Sequence, residues 1–336
     1  MKKITAMLLS LTLCLSMLTG CGNQAGNTAS SEEAAVELRV AALKGPTAMG
    51  MVKLMEDTQE QPVNGNSYQF TIAASADEVT PRLVQGEIDI AAVPANLASA
   101  LYNNTKGAIQ VLAINTLGVL YMVEAGESIQ SVEDLRGGTI YASGKGATPE
   151  YALNYILSAN GIDPERDVTI EWKSEHSECV AALTTAGEGS VALLPQPFVT
   201  TAQTKNNQIR IALDLTEEWD RLQQEEEAPS ALLTGTVIVR KAFVEENPEA
   251  VKRFMDSYKE SVDYVNGNVA QAAQLIEQFD IVPAAVAEKA LPYCNIVFVE
   301  GSEMKERLSG YLEVLMGQNP KSVGGAVPTD EFYYSR

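Results

Sequence analysis

A single histidine, His176, stands in 336 residues. With one imidazole in the chain, a Ser-His-Asp arrangement has one possible centre, and a metal site built on paired histidines has none. Cysteine is almost as scarce: Cys14, Cys21, Cys179 and Cys294 are the whole complement, and no two have metal-ligand or disulfide-framework spacing. Basic residues are outnumbered, 24 against 44 acidic, for a net charge of −20. That balance argues against nucleic acid and against an anionic lipid surface as partner. It says little about a small ligand, because local charge in a cleft can oppose the total. Aromatics make up only 6% of the chain, yet 46% of residues are hydrophobic. The length suits two ordinary domains with a core in each.

Long apolar runs are also lacking. The longest, Ile4–Met17, follows Lys2 and Lys3 and falls short of the roughly 20 residues of a membrane span. Its plan is that of a secretory signal, and the ending Leu18-Thr19-Gly20-Cys21 resembles the bacterial lipobox. Residues 1–21 are therefore expected to be a leader, with Cys21 lipidated and the mature chain held on the extracytoplasmic face of the cell membrane. Residues 22–36 are small and polar and read as a flexible tether. Cys179 and Cys294 are expected to be two buried thiols.

What is present is organised around Gly137–Leu157, GGTIYASGKGATPEYALNYIL. It reads as a short strand, a glycine-rich loop and a helix starting near Thr148–Pro149, with Thr148 as N-cap and Glu150 against the positive end of the helix dipole. The loop has a twin. Lys145-Gly146-Ala147-Thr148 echoes Lys44-Gly45-Pro46-Thr47 at an offset of 101 positions, Lys44 to Lys145. The same offset carries Gly86-Glu87 to Gly187-Glu188, Ala91 to Ala192 and Pro94 to Pro195. Two equivalent α/β units in tandem are expected, facing each other across a cleft. Gly86 and Gly187 read as helix stops.

Strands are expected at 37–43, 68–73, 88–93, 109–115, 118–124, 139–142, 168–172, 190–194, 208–214 and 235–240. Helices are expected at 48–56, 77–84, 97–102, 177–185 and 198–205, with 217–228 a surface helix or loop. After Arg240 only helices are expected: 248–265, with Val251, Phe254, Met255, Tyr258 and Val262 on one face, then 270–279, 284–291 and 302–316. The tail Thr329–Tyr334 could dock its aromatics on the surface.

Several phrases resemble one family. LVQGEIDIAAVPANLASAL (83–101), SVEDLRGGTIYASGKGATPEYALNYILSANGIDPERDVTI (131–170), AALTTAGEGSVALLPQPFVTTA (181–202) and VIVRKAFVEENPEAVKRFMDSY (237–258) together look like type II periplasmic binding proteins of the nitrate, taurine, alkanesulfonate and thiamine-pyrimidine class. The resemblance covers roughly residues 37–318 and departs from the family at Ser190, where Asp is frequent and where Asp89 is the lobe-one counterpart. It implies two similar Rossmann-like α/β lobes joined by a two-segment hinge: lobe I from 37–117 plus 237–336, lobe II from 118–236. It further implies a monomeric, cofactor-free solute receptor without enzymatic activity that delivers a small organic molecule to an ABC permease. A sulfonate, a nitrate-like anion, an aromatic acid and a pyrimidine precursor are all held by such architecture. A pyrimidine-synthesising enzyme on the same fold lacks its cysteine-rich motif here, and a surface sensor or adhesion module remains the other alternative.

Open α/β sheets place ligands at the C-terminal ends of their strands. The candidate contacts are therefore Lys44, Gly45 and Thr47 in one loop and Lys145, Gly146, Ala147 and Thr148 in the other, whose backbone N–H groups favour an anionic or carbonyl-bearing ligand. Ser75 and His176 sit at the same rim, Asn96 and Gln196 follow the proline strand ends, and Asn115 lies near the first hinge segment. Trp172 and Tyr151 could stack on a flat ring, with core packing the competing role.

Overall fold

The computed structural model describes residues 35–224 and 230–336. The leader, Cys21, nearly all of the tether and the end of the 217–228 segment lie outside them. Residues 35–336 form one compact unit.

The chain opens with strand β1 (Val36–Leu43), then two short helices, α1 (Pro46–Met49) and α2 (Val52–Asp57). Strand β2 (Asn66–Ala73), helix α3 (Ala76–Val84), strand β3 (Ile90–Pro94), helix α4 (Ala95–Asn104) and strand β4 (Ile109–Leu117) follow. After Gly118 and Val119 the chain enters a second sheet with β5 (Leu120–Ala125) and β6 (Thr139–Ser143). That sheet continues with α5 (Thr148–Ala159), β7 (Thr169–Lys173), α6 (His176–Ala186), β8 (Ser190–Pro195), α7 (Phe198–Lys205) and β9 (Ile209–Asp214). Helix α8 (Leu215–Gln223) leads toward β10 (Leu233–Arg240), which returns to the first sheet. The rest is α9 (Lys241–Glu246), α10 (Pro248–Gly267), α11 (Val269–Gln278), α12 (Ala284–Ala290), strand β11 (Ile296–Val299) and α13 (Gly301–Gln318).

The strand orders are β11-β4-β10-β3-β1-β2 and β7-β6-β8-β5-β9. In each sheet the neighbours of β1 or β6 run parallel to it, and one antiparallel strand is wedged in: β10 between β3 and β4, β5 between β8 and β9. Both wedged strands are the first element after a crossing between sheets. Central strands are covered on both faces and read as continuous apolar runs; in β3, Ile90, Ala91, Ala92 and Val93 are all fully buried.

Helix α10 shows why the covering helices form where they do. Pro248 supplies the fixed φ of a first turn, and Val251, Phe254, Met255, Tyr258, Val262 and Val265 recur at three- and four-residue spacing. They pack with Leu38, Val40 and Met55 beneath the first sheet. Helix α13 buries Met304, Leu308, Tyr311, Leu312 and Leu315 in a cluster that also holds Ile114 of the first sheet, Leu153 of α5 and Trp219 of α8. One apolar layer thus runs from one sheet to the other.

Three local expectations are corrected. The helix expected over 48–56 is broken in two, because Ser261 Oγ stands between Gly50 and Leu54, donating to the Gly50 carbonyl at 2.7 Å and accepting from the Leu54 N–H at 3.1 Å. The C-terminal region is not purely helical. Ile296–Val299, too short to carry a period-2 signal, pairs antiparallel with β4 at the sheet edge. Thr148 is the first helical residue of α5 and not its cap; Ala147 takes the cap position. Two other features stand as read: Gly86 and Gly187 follow helix ends at φ +80° and +83°, and Cys179 and Cys294 are buried free thiols. The aromatic tail does dock: Phe332 is fully buried against Tyr102, and Tyr334 N–H bonds the Val111 carbonyl.

Candidate functional site

The C-terminal ends of the parallel strands in both sheets converge on one cavity of about 220 Å³. From the first sheet come Leu43 at the end of β1 with Lys44-Gly45-Pro46-Thr47 after it, Pro94 at the end of β3, and Thr234 of β10. The second contributes Gly144 and Ala147-Thr148-Pro149 after β6, His176 after β7, and Pro195-Gln196-Pro197-Phe198 after β8. Val119 and Leu120, in the first crossing, close the floor. The two loops related by the 101-position offset therefore line the same space.

Backbone and side-chain bonds hold these loops in place. Asn115 is buried in β4 and donates through Nδ2 to the Thr47 carbonyl at 3.2 Å and to Tyr258 Oη at 3.1 Å. Thr47 in turn donates to the Leu43 carbonyl at 2.7 Å. Loop and return strand approach so closely that a Cβ on Gly235 would stand 2.5 Å from Asn115 Oδ1 and 2.6 Å from Thr47 Cγ2. On the other side Tyr311 of α13 donates to Thr148 Oγ1 at 3.2 Å. Gln196 accepts through Oε1 from Thr200 Oγ1 at 3.0 Å and Thr200 N–H at 3.3 Å.

The cavity wall is mainly apolar, with five prolines and Phe198. His176 packs against Phe198 with centroids 5.1 Å apart and ring planes tilted by 46°, and its Nδ1 is hydrogen-bonded to Ser143 Oγ. Burial pushes its pKa down to about 4, so the ring is neutral at pH 7. Among the described residues Lys44 is the one charged residue in the wall, and its Nζ lies 3.4 Å from Asp280 Oδ2 in an exposed pair.

Of the twelve expected contacts, Lys44, Gly45, Thr47, Ala147, Thr148, His176 and Gln196 line this cavity. Five do not. Asn115 acts one step back, through the Thr47 carbonyl. Lys145 and Gly146 are exposed on the outer turn of the loop, and the Gly146 N–H is taken by Glu150 Oε2 at 2.6 Å. Ser75 is exposed before α3, 3.4 Å from Glu78 Oε1. Asn96 faces away, its Nδ2 3.4 Å from the Ser322 carbonyl. Trp172 packs at the edge of the core and Tyr151 within it, neither in the cavity wall. Phe198, not among the expected contacts, also lines the cavity; its place directly after Pro195-Gln196-Pro197, at a helix start, is the sequence signal for it.

Position 190 has a structural explanation at the opposite, N-terminal end of the strands. Asp89 is buried and takes Arg39 Nε at 2.8 Å, Arg39 Nη2 at 2.6 Å and Arg240 Nη2 at 2.5 Å. Burial opposes its charge, but these bonds outweigh burial and hold the carboxyl below the usual range. In the second sheet the buried carboxylate sits one strand over. Glu124 of β5 takes Arg210 Nη2 at 2.8 Å together with the Ser128 and Ile129 N–H groups. It too is held low against burial. Ser190 instead donates to the Gly187 carbonyl at 2.6 Å.

A family model described as "ABC transporter, phosphonate, periplasmic substrate-binding protein" matches residues 50–290. No curated protein matches the chain. Among solved structures, an ABC transporter from Parabacteroides distasonis shares 22% identity at TM-score 0.74, covering 90% of this chain and 100% of that one. The periplasmic aliphatic sulphonate binding protein SsuA from Escherichia coli shares 15% at TM-score 0.70, covering 89% of this chain and 92% of that one. The periplasmic nitrate-binding protein NrtA from Synechocystis shares 15% at TM-score 0.56, covering 75% and 69%. These likenesses show the fold: a mixed α/β structure with two sheets, as in two-lobed periplasmic binding proteins.

Proposed function

The chain belongs to the periplasmic substrate-binding proteins of ABC transporters described for phosphonate, and we propose that it is a lipid-anchored solute receptor feeding an importer permease. Residues 37–117 with 237–336 would form one lobe and 118–236 the other, the crossings at 118–119 and near Thr234–Thr236 serving as the hinge. Lys44–Thr47, Ala147, Thr148, His176, Gln196 and Phe198 would contact the ligand. Cys21 would carry lipid on the extracytoplasmic face, with the chain a monomer.

One observation carries this reading. Matching loops of two matching sheets close one cavity at their strand ends, the position where α/β folds take ligands. The phosphonate of the family description and the sulphonate- and nitrate-binding neighbours make small oxo-acids the first compounds to try. The hydroxyl that His176 Nδ1 holds, Ser143 Oγ, is buried and outside the cavity wall among the described residues, which favours capture over catalysis.

Calorimetry on the purified chain with phosphonates, sulfonates and uncharged aromatic compounds tests it. A ligand at about a hundred times its dissociation constant raises stability by about 2.7 kcal/mol, which a melting curve resolves. Binding that Thr148→Trp abolishes without altering the fold is the expected outcome. Failure of every class would return the chain to an interaction module. Radiolabelled fatty acid incorporation that Cys21→Ser removes would check the anchor.

A further inference from the structure

The cavity is built poorly for an oxyanion. Its one cation among the described residues, Lys44, lies against Asp280 at the solvent edge. The helix starts around it already hold carboxylates. Glu150 Oε2 accepts the Gly146 N–H at the start of α5, and Glu178 Oε2 accepts the Ser174 N–H at 2.8 Å at the start of α6, beside Glu175. Each places negative charge where the dipole would otherwise attract an anion. Lys145, the remaining nearby cation, is outside the wall. Two hydroxyls of the wall are also engaged: Thr47 donates to a carbonyl, and Thr148 accepts from Tyr311.

What remains open is neutral. Gln196 uses its Oε1 on Thr200, leaving its amide N–H₂ for the cavity. His176 uses Nδ1 on Ser143, leaving Nε2. Thr234 Oγ1 has no hydrogen-bond partner among the described residues, but it is buried in protein beyond the reach of a water molecule and so does not open on the cavity. Around Gln196 and His176 stand prolines and the Phe198 ring. Given the receptor reading above, on which this rests, we infer that the ligand is a compact, uncharged, ring-bearing molecule with two or three polar edge atoms, not a phosphonate or sulfonate. Its ring packs against Phe198 and His176, and its polar edge meets the Gln196 amide. The volume, below the roughly 300–1,000 Å³ of drug-sized sites, suits a small ring system.

The test holds the ring constant and varies the charge. Benzamide, benzoate, benzenesulfonate and phenylphosphonate, with methylphosphonate and ethanesulfonate as compact anions, are titrated into the full chain by calorimetry. In parallel the protein is equilibrated with a small-molecule extract of its source organism, and any captured compound is identified by mass spectrometry. An uncharged compound should bind at least about tenfold more tightly than any anion, with little change between low and high salt. Phe198→Ala and Gln196→Glu, the latter keeping the acceptor on Thr200 while losing the N–H₂, should each weaken it while the melting curve stays cooperative. Tightest binding by a phosphonate or sulfonate, or capture of one, overturns the inference and leaves the receptor reading standing. If no probe binds and nothing is captured, both fall.

Discussion

The two sheets share a topology and solve the same electrostatic problem with different residues. In the first, one aspartate between β1 and β10 gathers two arginines. In the second, a glutamate on the wedged strand meets one arginine and two backbone N–H groups, and the position matching Asp89 is a serine that bonds carbonyls. Both arrangements lie at the end of the sheet away from the cavity. A carboxylate at this place is therefore structural, and a change at position 190 does not by itself alter ligand choice. What the duplicated architecture requires is a satisfied charge at the foot of the sheet, not a particular residue.

The sharpest way to break the comparison is to remove the aspartate. Asp89→Ala should cost about 3–5 kcal/mol by leaving two partly buried guanidiniums uncompensated. Ser190→Ala should cost only about 0.5–1.5 kcal/mol, the worth of an ordinary hydrogen bond. Urea denaturation of the two variants checks the contrast; equal losses would show that the feet of the two sheets are equivalent after all.

The rims differ as well: at the offset position, one has exposed Ser75 and the other has half-buried His176. The folded pKa of His176, about 4, lies below its unfolded value near 6.5. Between those values the unfolded chain binds more protons, so stability present above pH 6.5 is lost as pH falls toward 4. That loss should amount to about 2–3 kcal/mol. Asp89 and Glu124, also depressed, add a separate loss that begins only below about pH 4. Stability measured against pH for the protein and for His176→Asn should differ in the upper window alone; parallel curves would mean the ring is not held neutral.

The two crossings make a third comparison. A Cβ on Gly118 would stand 2.1 Å from Thr216 Oγ1, and one on Gly235 would crowd the Asn115–Thr47 contact. Each change to alanine should cost about 1–3 kcal/mol from overpacking. Only Gly235→Ala should also weaken ligand binding, because it displaces a cavity loop. The smallest effects are expected at the paired lysines. With an uncharged ligand, Lys44→Ala and Lys145→Ala should change affinity by less than about threefold, the scale of exposed charges. A larger loss at Lys44 alone, seen by calorimetry, would point to an anion.

Several features were legible in the chain because they repeat or are periodic. The offset from Lys44 to Lys145 identified two matching loops, and both reach the cavity. The apolar face of 248–265 marked a covering helix, and Pro195-Gln196-Pro197 marked a strand end at the rim. The misses have local physical causes. Gly50 breaks a helix through a bond to Ser261, more than two hundred residues away. Ile296–Val299 is a strand only because β4 presents an edge to it. Lys145 and Gly146 match the first loop letter for letter, yet the turn carries them outward and Glu150 claims the N–H.

Residue type and spacing alone settled what kind of molecule this is: an α/β chain of two like units, with one imidazole and no cluster of metal-binding cysteines. They did so because hydrophobic period and loop chemistry are local and survive duplication. Which polar groups stay free in the cavity was decided by the tertiary structure. A hydroxyl, an amide or a backbone N–H is available to a ligand only if no neighbour takes it first. For Thr148, Gln196 and Gly146 those neighbours are Tyr311, Thr200 and Glu150, of which the most distant along the chain is brought in by the packing of α13.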